Sequence, residues 1–257
     1  MPTVRRSGPC VSHRRRDLLT VAALGWAASS GAAPPELAPT PVYSTRLPPA
    51  FTWTYALQRG ALSGTGELSW RPLASTYQLK LEGKVVVIGA VLTQVSRGRT
   101  DPTGLAPQRF TDRRLRRAEQ AAVFDRAAGK ITFTGRSTQR PLVPGVQDRL
   151  SWMVQLPAIA QADPDRVRAG AAVVLRVVGA RGNLDVWTLR SQGLQTVQLE
   201  GRTVQAVKLT REPDDPDDTV AEIWLDPQRH HLPVRARLTD GRSDPLELLL
   251  QSGTSRP

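Results

Sequence analysis

Between positions 51 and 58 apolar and polar residues alternate without a break: Phe51, Trp53, Tyr55 and Leu57 against Thr52, Thr54 and Gln58. A period of two puts each set on one face of an extended chain, so the stretch predicts a half-buried β-strand. The same rhythm returns at Tyr77, Leu79 and Leu81. The run from Val85 to Val95 is too apolar to alternate and predicts a strand buried on both faces, with Gly89 marking a bend or bulge. Further strands are expected over 108–117, 121–125 and 130–135, then over 173–178, 184–190, 194–200, 203–211, 220–225, 232–239 and 246–251. Their joins are short and use turn residues, as at Arg181-Gly182-Asn183, Glu200-Gly201-Arg202 and Asp240-Gly241. Short joins make neighbouring strands antiparallel.

The period changes once. Val146, Leu150, Met153 and Val154 stand at the spacing of one helical face, and Asp148 would fall in the first turn, where a negative charge suits the helix dipole. Pro157 has no N–H to donate, so it should kink or end that helix. The expected fold is therefore mainly β: a large antiparallel curved sheet, a half-open or closed β-barrel, with one inserted helical segment at about 145–163 packed into its concave side. Residues 50–252 read as a single β-barrel-like domain, preceded by an extended Pro-rich lead-in at 33–49 and followed by a disordered tail at 253–257.

The N-terminal stretch follows neither period. Arg14, Arg15 and Arg16 are cationic, Leu18 to Ala28 is uncharged and mostly apolar, and Ser29 to Ala33 is small. That is the layout of a secretory signal. Its second half is Ala, Ser and Gly and it meets Pro34-Pro35, which makes it short for a span of roughly 20 apolar residues. Ser30 and Ala32 supply the small side chains that cleavage needs, so the signal is expected to occupy 1–32. Arg15 and Arg16 before Leu18-Leu19 also resemble a twin-arginine export signal; an ordinary basic leader fits as well. Periplasmic localisation is expected, and the chain is not expected to be an integral membrane protein.

Cys10, the one cysteine of the 257 residues, precedes the apolar run and would leave with the leader. No disulfide and no sulfur ligand is then available. The formal charge of +12 is carried mainly by arginine, spread along the chain. Outside the cytoplasm the anions at hand are lipid headgroups and acidic envelope polymers, so nucleic acid is not an expected partner. Arginines crowd in "TDRRLRRAEQ", residues 111–120, which reads either as an edge strand blunted by charge or as a patch for an anionic partner.

No catalytic constellation emerges. His230 and His231 would point to opposite faces of a strand and have no third His or Cys to help them hold a metal. "EPDDPDD", 212–218, gathers carboxylates without the spacing of a calcium loop. "SGTGELSW" has Ser69 where a dinucleotide fingerprint needs glycine. No nucleophile elbow, Walker lysine or zinc-protease helix is present. The expectation is a non-enzymatic protein with no cofactor and no metal. Trp53, Trp70, Trp152, Trp187 and Trp224 are expected in the core, with lining of a concave apolar pocket as the alternative.

The segments "TYALQRGALSGTGELSW", "RTDPTGLAPQRF", "VFDRAAGKITF", "VQDRLSWMVQL" and "EIWLDPQRHHLPVRARL" resemble an exported bacterial family catalogued as domain of unknown function 3108. The likeness spans about 54–250 and implies a periplasmic, mostly antiparallel β protein, with no catalytic residues to carry over. More remotely the chain is similar to the half-barrels of lipoprotein carriers, where a curved sheet and plugging helices enclose an apolar ligand. Two functions follow as expectations. The first is a periplasmic binding or carrier protein for a lipid or acyl ligand, gated by the helix through Trp152, Met153, Leu156 and Ile159. The second is an envelope assembly factor that meets an envelope protein or an anionic envelope polymer without a small ligand.

Overall fold

The computed structural model describes residues 40–211, 213 and 217–255, so the export-signal positions Arg15, Arg16 and Ala32, with Cys10, lie outside the described residues. Eight strands come first: β1 (Phe51–Arg59), β2 (Leu62–Leu73), β3 (Thr76–Val85), β4 (Gly89–Asp101), β5 (Gly104–Arg114), β6 (Gln120–Asp125), β7 (Lys130–Phe133) and β8 (Arg136–Pro141). A two-residue strand β9 (Gln147–Asp148) leads into helix α1 (Trp152–Ala162). Then come β10 (Ala172–Val178), β11 (Leu184–Leu199), β12 (Arg202–Arg211), β13 (Thr219–Asp226), β14 (Leu232–Asp240) and β15 (Leu246–Ser255). All 15 strands form one sheet in the order β8-β7-β6-β5-β4-β3-β2-β1-β15-β14-β13-β12-β11-β10-β9. Every pairing is antiparallel except β9 with β10. The sheet does not close by strand pairing, so the architecture is the half-open form of the expected curved sheet.

Alternation is the reason the sheet curls. Phe51, Trp53, Tyr55 and Leu57 of β1, and Tyr77, Leu79 and Leu81 of β3, are all buried and share one core with Ile223, Val234 and Leu248 of the far strands. A single helix touches β5, β9, β10 and β14, which stand far apart in the strand order; the sheet must wrap around it. Nine of the eleven residues of α1 are buried, from Trp152 to Ala160. Near the two ends of the sheet, Arg140 Nε donates to the Gly182 carbonyl across the gap at 3.0 Å.

Several expectations are corrected. The helix begins at Trp152, not near 145. Val146 and Leu150 are buried because the chain crosses the core there: Gln147 and Asp148 bridge Val177 and Val178, and Gln147 Nε2 donates to the Leu105 carbonyl at 2.9 Å. Burial on both sides of that crossing imitates a helical period. Pro157 does not end α1, which continues to Ala162. Packing on nearly all sides outweighs the roughly 3 kcal/mol that an interior proline costs.

Val85 to Val95 is not a strand buried on both faces. It is a hairpin, closed by Ile88 N donating to the Val85 carbonyl at 3.0 Å, with Gly89 at φ +79. Its corner residues Val86 and Val87 are 98% and 91% exposed. The strands expected at 184–190 and 194–200 are one, β11, which passes Ser191 and Gly193 with a bulge. β15 runs to Ser255, so the first residues of the expected tail are paired: Gly253 with Trp53 and Thr254 with Thr52. His230 and His231 both have φ +54 and form the turn after a short 3-10 helix instead of lying on a strand.

Residues 40–50, the described part of the lead-in, form neither helix nor strand and are held against the domain. Arg46 N donates to the Ala158 carbonyl of α1 at 2.9 Å, Trp70 Nε1 to the Pro48 carbonyl at 3.1 Å, and Val174 N to the Tyr43 hydroxyl at 2.9 Å.

Candidate functional site

The ladders fix which strand ends meet. Arg59 pairs with Leu62 and with Leu246, Lys84 with Thr65, and Leu92 with Arg114. These residues stand at one end of the half-barrel, and a cleft of about 600 Å³ opens there. Such a volume is in the range of small-molecule sites. Leu57, Leu81, Leu92 and Phe110 reach it from the inward faces of β1, β3, β4 and β5, Leu238 and Leu246 from β14 and β15 on the other side of β1. Met153, in the first turn of α1, lies at the bottom.

The rim is charged and carries both signs. Arg59, Arg114 and Arg117 rise from β1, the end of β5 and the turn after it, with Asp244 against Gly60 beside Arg59; Asp217 and Asp218 precede β13 and Asp240 ends β14, and Arg149 and Arg181 line the cleft as well. Arg114 is braced by Asp112, with contacts of 3.1 and 3.2 Å. Arg149 ties β11 to β14: its guanidinium meets Asp185 and Asp240, each at 3.2 Å, and lies 5.2 Å from the centre of the Trp187 ring. Arg211 lies 5.4 Å from the same ring and pairs with Asp218 at 2.8 Å. Burial raises the Asp185 carboxyl above its ordinary range, against the opposing pull of Arg149.

Below the cleft a carboxylate is sealed in. Asp148 is fully buried and accepts from Leu150 N at 2.8 Å, from Ser151 N at 2.7 Å and from the Ser96 hydroxyl, which itself contacts the Tyr77 hydroxyl at 2.8 Å. Burial pushes the Asp148 carboxyl up to about 6, although each of these hydrogen bonds favours the charged form. Asp148 does hold the start of α1, as its position suggested, but from the turn before the helix. Asp163, just past the end of α1, accepts from Asp165 N and Arg166 Nε.

Of the four residues singled out in the helix, Met153 lines the cleft. Trp152 is buried, with its ring edge-on to Trp187 at 5.2 Å and its Nε1 unpartnered. Leu156 and Ile159 are buried in the core on later turns and do not line the cleft. α1 is also pinned: Gln155 Oε1 accepts from Leu105 N and its Nε2 donates to the Thr103 carbonyl, both at 2.8 Å. The floor residues on β1, β3, β4 and β5 were missed as a site, although their alternation was the signal that placed them inward.

The arginine-rich stretch is not an edge strand, because β5 pairs with both β4 and β6. Arg116, at φ +56, and Arg117 fall in the turn that follows. Of the acidic cluster, Glu212, Asp214 and Asp215 lie outside the described residues; Asp218 pairs with Arg211, and Asp217 with Arg242 at 3.5 Å. Among the described residues no group of three or more His, Cys, Asp or Glu could hold a metal, and no helix is long and apolar enough to cross a membrane. A second groove of about 690 Å³ lies over the outward residues Val186, Thr188 and Arg190 of β11; its lining is mainly polar.

A family model described as "Protein of unknown function (DUF3108)" matches residues 51–242. No curated protein matches. The crystal structure of a beta-barrel-like protein of domain of unknown function DUF1849 from Brucella abortus is similar over 83% of this chain and 100% of its own, with TM-score 0.51 and 13% identity, a likeness of fold. The MucA/MucB complex of Pseudomonas aeruginosa aligns over 81% of this chain and 52% of that one, with TM-score 0.30 and 16% identity. A second structure, MucB in complex with MucA(peri), aligns over 80% and 50%, with TM-score 0.29 and 15% identity. The chain thus spans about half the length of the MucB chains.

Proposed function

The chain belongs to the DUF3108 family of proteins of unknown function, and we propose that it is a non-enzymatic periplasmic binding protein that carries a lipid or other acyl-chain amphiphile in the cleft. The observation that carries this reading is the cleft's lining: an apolar floor from Leu57, Leu81, Leu92, Phe110 and Met153 under a charged mouth. An acyl chain gains by leaving water for that floor, at about 0.8 kcal/mol per buried methylene. Its headgroup stays at the rim, where Arg59, Arg114 and Arg117 suit an anionic group. The basic, then apolar, then small leader of 1–32 supports export to the periplasm. In this reading α1 is a fixed floor and the ligand enters through the mouth, since Gln155 and the Asp148 turn hold the helix in place.

The test is native mass spectrometry of the chain recovered from periplasm without detergent, before and after solvent extraction. A bound mass that extraction removes and that proves to be a lipid is expected. A chain without bound mass, which also takes up no fatty acid or phospholipid on incubation, would overturn the reading.

A second reading, an envelope assembly factor, has one observation in its favour. β8 (Arg136–Pro141) is one of the two end strands of the sheet and all six of its residues are exposed, so its edge is open to a partner's strand. It predicts a partner that survives extraction of lipid and is lost when β8 is disrupted.

A further inference from the structure

The tip of the β3–β4 hairpin has the wrong composition for a turn. Corners of tight turns favour Gly, Pro, Asn and Asp, yet Val86 and Val87 occupy this one and are almost wholly exposed. β-branched residues do not help the chain reverse there, and water gains nothing from them. Ile88 beside them, Leu62 at the start of β2 and Leu115 after β5 are exposed as well. Leu115 N donates to the Val91 carbonyl at 2.9 Å, which draws the turn after β5 against the foot of the hairpin. The apolar residues therefore form one ridge, and its backbone is already hydrogen-bonded.

Cations flank this ridge. Arg113, Arg116 and Arg117 are exposed, and among the described residues none of the three forms an ion pair. The acidic residues Asp217, Asp218 and Asp240 of the mouth lie before β13 and at the end of β14, while Asp244 stands nearer, against Gly60. The ridge is also the lip of the cleft, since Leu62, Val85, Val91, Leu115 and Arg117 line it.

We propose that this lip docks on an anionic lipid bilayer, with Val86 and Val87 inserted among the acyl chains near the surface and Arg113, Arg116 and Arg117 against the headgroups. The charge complementarity is that of an apolar wedge ringed by unpaired cations, which a bilayer carrying anionic lipid satisfies on both counts. The wedge is a convex hairpin apex; a protein partner would need a matching pocket, whereas a bilayer accepts the apex without one. Docked this way, the mouth of the cleft faces the membrane. The inference goes beyond the binding reading and does not depend on it.

The test uses the processed chain recovered from periplasm, its N-terminus checked by mass, in flotation with vesicles of phosphatidylcholine alone or containing phosphatidylglycerol. Binding is expected only to the anionic vesicles and should weaken as salt rises. Val86→Ser with Val87→Ser should lower the partition coefficient about tenfold or more. Arg113→Gln with Arg116→Gln and Arg117→Gln should lower it at least tenfold and remove most of the salt dependence. Circular dichroism melts control for folding; exposed tip residues leave the melt unchanged. The proposal is overturned if the wild type does not float with anionic vesicles, or if the serine variant floats as the wild type does. Native mass spectrometry of the serine variant separates the two readings: a loaded cleft with no flotation loses docking alone, and an empty wild-type chain that floats loses only the carrier reading.

Discussion

A Cβ placed on Gly104 would stand 2.1 Å from Oε1 of Gln155. Gly104 sits at φ +104 as the first residue of β5, just after the turn from β4, and Gln155 is the fourth residue of α1. The same Gln155 amide bridges Thr103 and Leu105 on either side of the glycine, so helix and hairpin are keyed to each other at one residue. Gly104→Ala is expected to cost roughly 2–4 kcal/mol, from the unfavourable φ and the displaced amide together. Urea unfolding monitored by tryptophan fluorescence measures it; a loss below about 0.5 kcal/mol would mean that the helix is not keyed there.

Asp148 should make the protein less stable as pH rises from about 4 to about 6. Its carboxyl titrates near 6 in the fold against an ordinary 3.8, so in that window the native state binds the extra proton. Stability is greatest below the window and falls on deprotonation by an amount on the order of 3 kcal/mol. Asp148→Asn keeps an oxygen for Leu150 N and Ser151 N and has no proton to lose. The difference in unfolding free energy between wild type and variant should therefore change across pH 4–6, and a constant difference would refute the assignment. His231, whose protonation is held down by burial, contributes the opposite slope in both proteins and cancels in the comparison.

His230 is exposed and left-handed, at φ +54. A side chain pays about 1 kcal/mol for that conformation and glycine does not. His230→Gly is expected to stabilise by roughly 0.5–1 kcal/mol, read from the urea midpoint at unchanged slope. An unchanged or lower midpoint would show that the imidazole makes a contribution the turn conformation does not reveal.

The last strand is structural to its end. Gly253 lies against Trp53, where a Cβ would come within 2.3 Å of the indole. Ending the chain at Gln251 removes the partners of Phe51, Thr52, Trp53 and Thr54. The expected loss is about 2–4 kcal/mol. A truncated chain that melts with the full one would restore the view of these residues as a dispensable tail.

What could be read from the sequence followed from period two. β1 and β3 show it plainly, and the short joins between strands are enough to make their neighbours antiparallel. Three things were not legible. Val86 and Val87 look like core residues because hydrophobicity alone does not tell a strand from its turn. Val146 and Leu150 fit a helix because burial on two sides of a crossing chain mimics the spacing of one helical face. The cleft itself is assembled from β1, β3, β4, β5 and the distant β14 and β15, and the register that brings them together is a property of pairing between strands. Of the helix residues expected at the site only Met153 reaches it, because the later turns point into the packed core.

The strand order sets the first strand beside the last, with Tyr55 opposite Leu250. The strands from β1 to β8 and from β10 to β15 are each local meanders that hairpin closure can build in short steps. The ladder that joins them spans nearly the whole length of the domain in sequence and must wait until β15 is free to pair. Loop-closure entropy therefore concentrates in one late event, the pairing of β1 with β15. Until that event the open edge of β1, with Phe51, Trp53 and Tyr55 along it, is the chain's main liability to aggregation during biogenesis.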